Sequence, residues 1–133
     1  MYKIFSRINL SDSDAAGILY FSNIFVKAHE AYESLLSDRG ININDAIGNH
    51  DFIIPIVHAE ADYKNPLLPG DEIEIQVTCD KIGESSYTLK YDFYNMKDKN
   101  LSAVVKTVHA TIDKNSRIKI PIPEGLRSLI AQI

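Results

Sequence analysis

Cysteine occurs once, at Cys79, tryptophan is absent, and no apolar run approaches the length of a bilayer crossing. A lone thiol excludes an internal disulfide framework and a cysteine-based zinc site within one chain. Without about 20 consecutive apolar residues, no membrane-spanning helix is expected. Neither sign of charge dominates: the net charge is -4, which gives no electrostatic ground for nucleic-acid binding. The opening MYKIFSRINLSDSD lacks a charged n-region followed by a long apolar stretch and a cleavage site. A secretory signal is therefore not expected, and the cytoplasm is the expected compartment. What is present is ordinary for a globular protein, with 45% hydrophobic and 24% charged residues in a chain of 133. One domain over residues 1–133 is the expectation.

The hydrophobic pattern changes period along the chain. Tyr2 to Leu10 alternates imperfectly and reads as a strand. From Ser22, the residues Ile24, Ala28, Ala31, Tyr32 and Leu35 recur on one helical face, with Phe25 and Leu36 widening it and Lys27, Glu30, Ser34 and Asp38 turned away. Ser22 or Asn23 suits the N-cap and Gly40 the stop. Ile41 to Asp51 reads as a loop or short irregular helix. Phe52 to Tyr63 is a strand interrupted by Pro55, whose missing amide makes the strand begin after it or lie at an edge. Glu72 to Cys79 and Tyr87 to Phe93 alternate cleanly around a hairpin at Gly83 and Glu84, Leu101 to Ile112 forms a last long strand, and a helix starts near Glu124. The expected class is α+β, a curved antiparallel sheet wrapped around one long central helix.

The stretch DSDAAGILYFSN, beginning at Asp12, gathers two acids, a tight turn and the start of that helix. Together with IPIVHAEADYKNPLLPGD, from Ile54 to Asp71, it resembles the hotdog-fold thioesterases of the 4-hydroxybenzoyl-CoA type. The shared features are Asp-x-Asp-x-x-Gly followed by an aromatic pair, Asn and a helix, then Pro-Ile-Val and Pro-Leu-x-x-Gly-Asp. Within that family, DAAGILYF and HEAYESLL are most similar to the 1,4-dihydroxy-2-naphthoyl-CoA hydrolases of phylloquinone and menaquinone synthesis. The resemblance implies thioester hydrolysis without a cofactor, CoA being part of the substrate. It also implies subunits that pair their sheets and assemble as homotetramers, dimers of dimers, and it carries the reactive acid onto Asp14. Two departures accompany it. Phe21 argues against a branch with His at the second aromatic position, and the Arg pair that helps hold CoA phosphates in some relatives falls at Gly83 and Glu84.

Thioester hydrolysis needs a nucleophile and an oxyanion stabiliser. Asp14 can attack as a carboxylate or deprotonate water, and the residues do not choose between these. Amides around Phe21 to Asn23 offer N–H groups at a positive helix end, which makes Ser22 part of the candidate site. Gly17 would let backbone approach the substrate. Tyr20 and Phe21 serve equally as core or as aromatic walls for an acyl group. Asp12 fits a structural turn role better than chemistry. His58 and Glu60 share one side of a strand and either line a pocket from a neighbouring subunit or form an exposed pair. His29 and Glu33, one turn apart, read as a surface pair because two ligands make a poor metal site, and no metal is expected. His50 and His109 have no evident partner. Lys64, Lys81 and Lys90 either meet CoA phosphates or belong to a solvated surface. The same residues also fit 4-hydroxybenzoyl-CoA or another aromatic or medium acyl thioester as substrate, and, in a different class, a non-catalytic acyl-CoA-binding module.

Overall fold

The computed structural model describes residues 1–42 and 50–133. Five strands form one antiparallel sheet: β1 (Tyr2–Arg7), β3 (Ile56–Tyr63), β4 (Glu72–Ile82), β5 (Ser86–Asn95) and β6 (Leu101–Ala110), in the order β1-β4-β5-β6-β3. The period of two decides which face is covered. Ile73, Ile75 and Val77 of β4 oppose Asn95, Phe93 and Tyr91 of β5, which in turn meet Ala103 and Val105 of β6. Nearly all of these are fully buried. Helix α1 (Asn23–Asp38) lies across that face and buries Ile24, Ala28, Ala31, Tyr32, Leu35 and Leu36 among them. Register shifts between Ile56 and His58, Cys79 and Lys81, and Phe93 and Tyr94 are bulges that add the curvature needed to wrap a sheet around a helix.

Smaller elements close the ends. Phe52–Ile53 (β2) pairs with Ile112–Asp113 (β7), and Pro55 separates β2 from β3, so the interruption expected at this proline is observed. Helix α2 (Glu124–Ala131) inserts Leu126 and Ile130 into the core, while Arg127 donates to the carbonyls of Gly83 and Glu84 in the β4–β5 hairpin. Gly40, at φ +83°, follows α1 in the left-handed conformation that ends helices. Most of the loop expected between Ile41 and Asp51 lies outside the described residues. No helix among the described residues is long and apolar enough to cross a membrane.

The structure corrects the helical face at one position. Lys27, expected to point away from the core, is only 4% exposed. Its ammonium lies 3.4 Å from the Asp12 carboxylate, 3.4 Å from Ser6 Oγ and 3.7 Å from Glu30. The stem packs with the apolar stripe and the charge is met by an acid delivered from the preceding turn.

Candidate active site

Three short-range contacts shape the turn before α1. Asp14 N–H donates to the Ile18 carbonyl, Gly17 N–H donates to the Asp14 carbonyl, and Ser13 bridges Leu19 in antiparallel fashion. Gly17 sits at φ +77°, a conformation that costs a side-chain-bearing residue roughly 1–2 kcal/mol. The Asp14 carboxylate accepts the Ala16 N–H through Oδ1 at 2.8 Å. Its Oδ2 has no hydrogen-bond partner among the described residues. One oxygen is thus held by the turn, and Asp14 lines a cavity of about 350 Å³. Ile18, Phe21, Ile24, Tyr63, Lys64 and Ser102 are among the residues that line this space with Asp14.

Asp12 has a different task. Its carboxylate accepts the Asn9 N–H at 2.7 Å, closing a 3-10 turn over Leu10–Asp12, and meets Lys27. Its carbonyl accepts from the Tyr20 N–H and from Asn23 Nδ2, both at 2.8 Å. Asp12 therefore ties the Asp14 turn to the first two turns of α1, the structural role expected of it.

The start of α1 departs from expectation in a useful way. Ser22 precedes the helix but makes no side-chain cap, and Asn23 spends its side chain on Asp12. The Asn23 N–H donates to the Tyr20 carbonyl at 2.9 Å, which removes it from the three candidate oxyanion donors. The amides of Phe21 and Ser22 have no backbone acceptor among the described residues. A helix end without a side-chain cap leaves such donors for a ligand. Tyr63 O–H donates to the Phe21 carbonyl and fixes this peptide from β3.

The remaining candidates separate. Phe21 lines the cavity, whereas Tyr20 is not among its lining residues and packs against Phe21 at a tilt, ring centroids 4.8 Å apart. His58 and Glu60 lie opposite Val108 and Lys106, on the sheet face turned away from α1. They form an exposed pair 3.9 Å apart, and within one chain they are not in the Asp14 cavity. Lys64 lines the cavity; Lys90 is on the outer face, 3.6 Å from Asp92, and exposed Lys81 sits beside the β4–β5 hairpin. His29 and Glu33 are exposed, and among the described residues they form no ion pair and no group of three metal-ligating side chains occurs.

Tyr63 and Ser102 carry no motif that singles them out in the sequence, and neither does a polar cluster beneath α1. His109, 1% exposed, places Nε2 2.7 Å from Thr107 Oγ1, which is 3.2 Å from the Tyr91 hydroxyl. The imidazole stacks on Tyr87 at 4.9 Å and packs against Tyr32; the hydroxyls of these two tyrosines meet at 2.6 Å. Burial, with a smaller contribution from the facing His29, lowers the His109 pKa to about 4, so the ring is neutral near pH 7. Burial likewise raises the pKa values of Tyr32, Tyr87 and Tyr91. The signal available in the sequence is the two-residue spacing of Thr107 and His109, which puts both on the inner face.

Residues 8–130 match the thioesterase-like superfamily. The chain is 38% identical over 120 residues to a 1,4-dihydroxy-2-naphthoyl-CoA hydrolase of Microcystis aeruginosa, covering 90% of this chain and 86% of that protein. It is 36% identical to a protein of the same name from Crocosphaera subtropica, covering 91% and 92%. The crystal structure of a 1,4-dihydroxy-2-naphthoyl-CoA thioesterase from Synechocystis superposes with a TM-score of 0.93 at 29% identity, covering 99% of this chain and 96% of that one. With its antiparallel sheet curved around α1 in the hotdog arrangement, the chain belongs to the thioesterase-like superfamily.

Proposed function

We propose that this protein hydrolyses 1,4-dihydroxy-2-naphthoyl-CoA to 1,4-dihydroxy-2-naphthoate and CoA, a step of phylloquinone or menaquinone synthesis. The observation that supports the proposal is that Asp14 and Phe21 line one cavity, with the Phe21 amide and the adjacent Ser22 amide both lacking a backbone acceptor among the described residues. The names of the relatives supply the acyl group.

Asp14 Oδ2 acts at the thioester carbonyl, either as nucleophile, expelling the CoA thiolate and leaving a mixed anhydride that water then hydrolyses, or by taking a proton from a water that attacks and expels the thiolate; either route ends in free carboxylate, CoA thiol and regenerated Asp14. Negative charge then develops on the carbonyl oxygen, where the Phe21 and Ser22 amides and the helix end stabilise it. One oxyanion donor is typically worth about 3–4 kcal/mol. Gly17 and Phe21 bound the approach, Lys64 at the rim meets CoA phosphate charge, and the chemistry requires no cofactor or metal. Acyl-CoA binding without hydrolysis is the competing reading; CoA release measured by thiol titration over a panel of acyl-CoA esters tests both. Retained binding with no release from any ester would favour the binding module.

We place the protein in the cytoplasm as a homotetramer, a dimer of dimers. Support for pairing comes from β3, an edge strand with an open ladder on one side and Ile56, Val57 and Tyr63 exposed. Such an edge invites a second strand. In a two-fold, antiparallel β3–β3 pairing, the same patch serves both copies. His58 and Glu60, on the outer face of β3, then come beside the neighbouring copy.

A further inference from the structure

We propose that Tyr91, Thr107 and His109 form a subsite for a ring hydroxyl of the aromatic acyl group, serving the thioester held at Asp14 of the paired copy. The proposal rests on the thioesterase function above. A cavity of about 90 Å³ between α1 and the sheet is lined by Phe25, Ile56 and Ala59 as apolar walls and by Tyr91, Thr107 and His109 as polar ones. His29 and Tyr32 complete it. His109 Nδ1 is buried and has no hydrogen-bond partner among the described residues. Buried polar atoms without partners are rare and costly, and the ring that carries this one lines the cavity.

The chemistry of the walls selects the occupant. Thr107 Oγ1 engages Nε2, so Nδ1 is either a donor or an acceptor according to tautomer. A phenolic hydroxyl satisfies both cases, because it donates and accepts. A carboxylate or ammonium would be held in apolar surroundings without a counter-charge. The volume admits a hydroxyl with the edge of its ring.

Reach determines which Asp14 is served. Ala103 lines the Asp14 cavity and Thr107 the polar one. Four residues of strand separate them by about 13 Å, more than a fused bicyclic ring spans. Two-fold antiparallel pairing of β3 centred on Ala59 keeps both helices on one face of the joined sheet and brings the Tyr63 end of one copy to the Ile56 end of the other. The polar cavity beside Ile56 then faces the Asp14 cavity beside the partner copy's β3 end.

The test compares kcat/KM for 1,4-dihydroxy-2-naphthoyl-CoA and 2-naphthoyl-CoA, which lacks both hydroxyls. Thr107→Val should lower the preference for the hydroxylated ester about tenfold, with His109→Phe as the second variant should the first fail to fold. An equal fall on both esters, or an unchanged preference, would overturn the subsite. Thr107→Val copies assembled with an excess of Asp14→Asn copies should regain the wild-type preference, because each intact Asp14 then faces an intact Thr107; a preference that stays low would overturn sharing between copies. Calorimetric binding of 4-hydroxy-2-naphthoate against 2-naphthoate distinguishes the two levels of failure. No CoA release from any ester defeats the thioesterase reading, whereas equal binding of the two acids, as a cavity filled by structural water only would give, defeats the subsite.

Discussion

Replacing Lys27 with Met should destabilise the fold and slow turnover together. The ammonium is almost wholly buried and lies 3.4 Å from Asp12 Oδ2, which itself remains 18% exposed. Glu30, at 3.7 Å, is 52% exposed and can return to water unaided. Breaking a fully buried pair by removing one partner costs about 3–5 kcal/mol, mostly by leaving the other charge uncompensated. Partial hydration of Asp12 and retention of the apolar stem by Met bring the cost below that range, to about 2–3 kcal/mol. Urea unfolding at fixed protomer concentration measures it, and the slope should not change. Asp12→Asn combined with Lys27→Met should cost about 1–2 kcal/mol less than the two single changes added together, because the stranded charge is gone. Turnover should fall because Asp12 also holds Tyr20 and Asn23 through its carbonyl. A Lys27→Met protein within about 0.5 kcal/mol of wild type, the scale of ordinary surface substitutions, would refute the anchoring role.

Other outcomes follow from the same contacts. Gly17→Val, at φ +77°, should cost roughly 1–2 kcal/mol in urea unfolding and lower kcat, since the strain falls on the turn that carries Asp14. Tyr63→Phe loses the bond to the Phe21 carbonyl and should reduce kcat/KM about fivefold, the equivalent of one net hydrogen bond. For pH, the His109 pKa is about 4 when folded against an ordinary 6.5. The unfolded chain therefore takes up the proton first, and the stability present above pH 6.5 is lost as pH falls towards 4. Between pH 7 and pH 5 wild type should lose about 2 kcal/mol more than His109→Phe in urea titrations, an upper figure for one buried imidazole.

Much of this architecture is legible in the sequence because it rests on local chemistry. Alternation locates the inward residues of β4 and β5, Pro55 marks where β3 can begin, and Gly40 marks the end of α1. Asp12 and Asp14 differ in surroundings: the Asp12 carboxylate closes a 3-10 turn and meets Lys27, whereas Asp14 lines a cavity. Lys27 is misassigned by periodicity, which sees only polarity, while its partner Asp12 arrives from another element. Tyr63 and Ser102 reach the cavity from β3 and β6, a convergence set by strand order. His109 has no evident partner in the sequence for the same reason: Tyr32, Tyr87 and Tyr91 meet it through helix packing and cross-strand register. The Asn23 amide fits a free donor by position alone, and only the folded turn brings the Tyr20 carbonyl to it.

The central claim is chemical, and CoA release from 1,4-dihydroxy-2-naphthoyl-CoA by purified wild-type and Asp14→Asn protein tests it most directly. Asn keeps the side-chain oxygen that accepts the Ala16 N–H but is neither a competent base nor a carboxylate nucleophile. The account predicts release by wild type and a loss of at least about 100-fold in kcat for the variant, with unchanged unfolding. Turnover by a folded Asp14→Asn protein at the wild-type rate would contradict it.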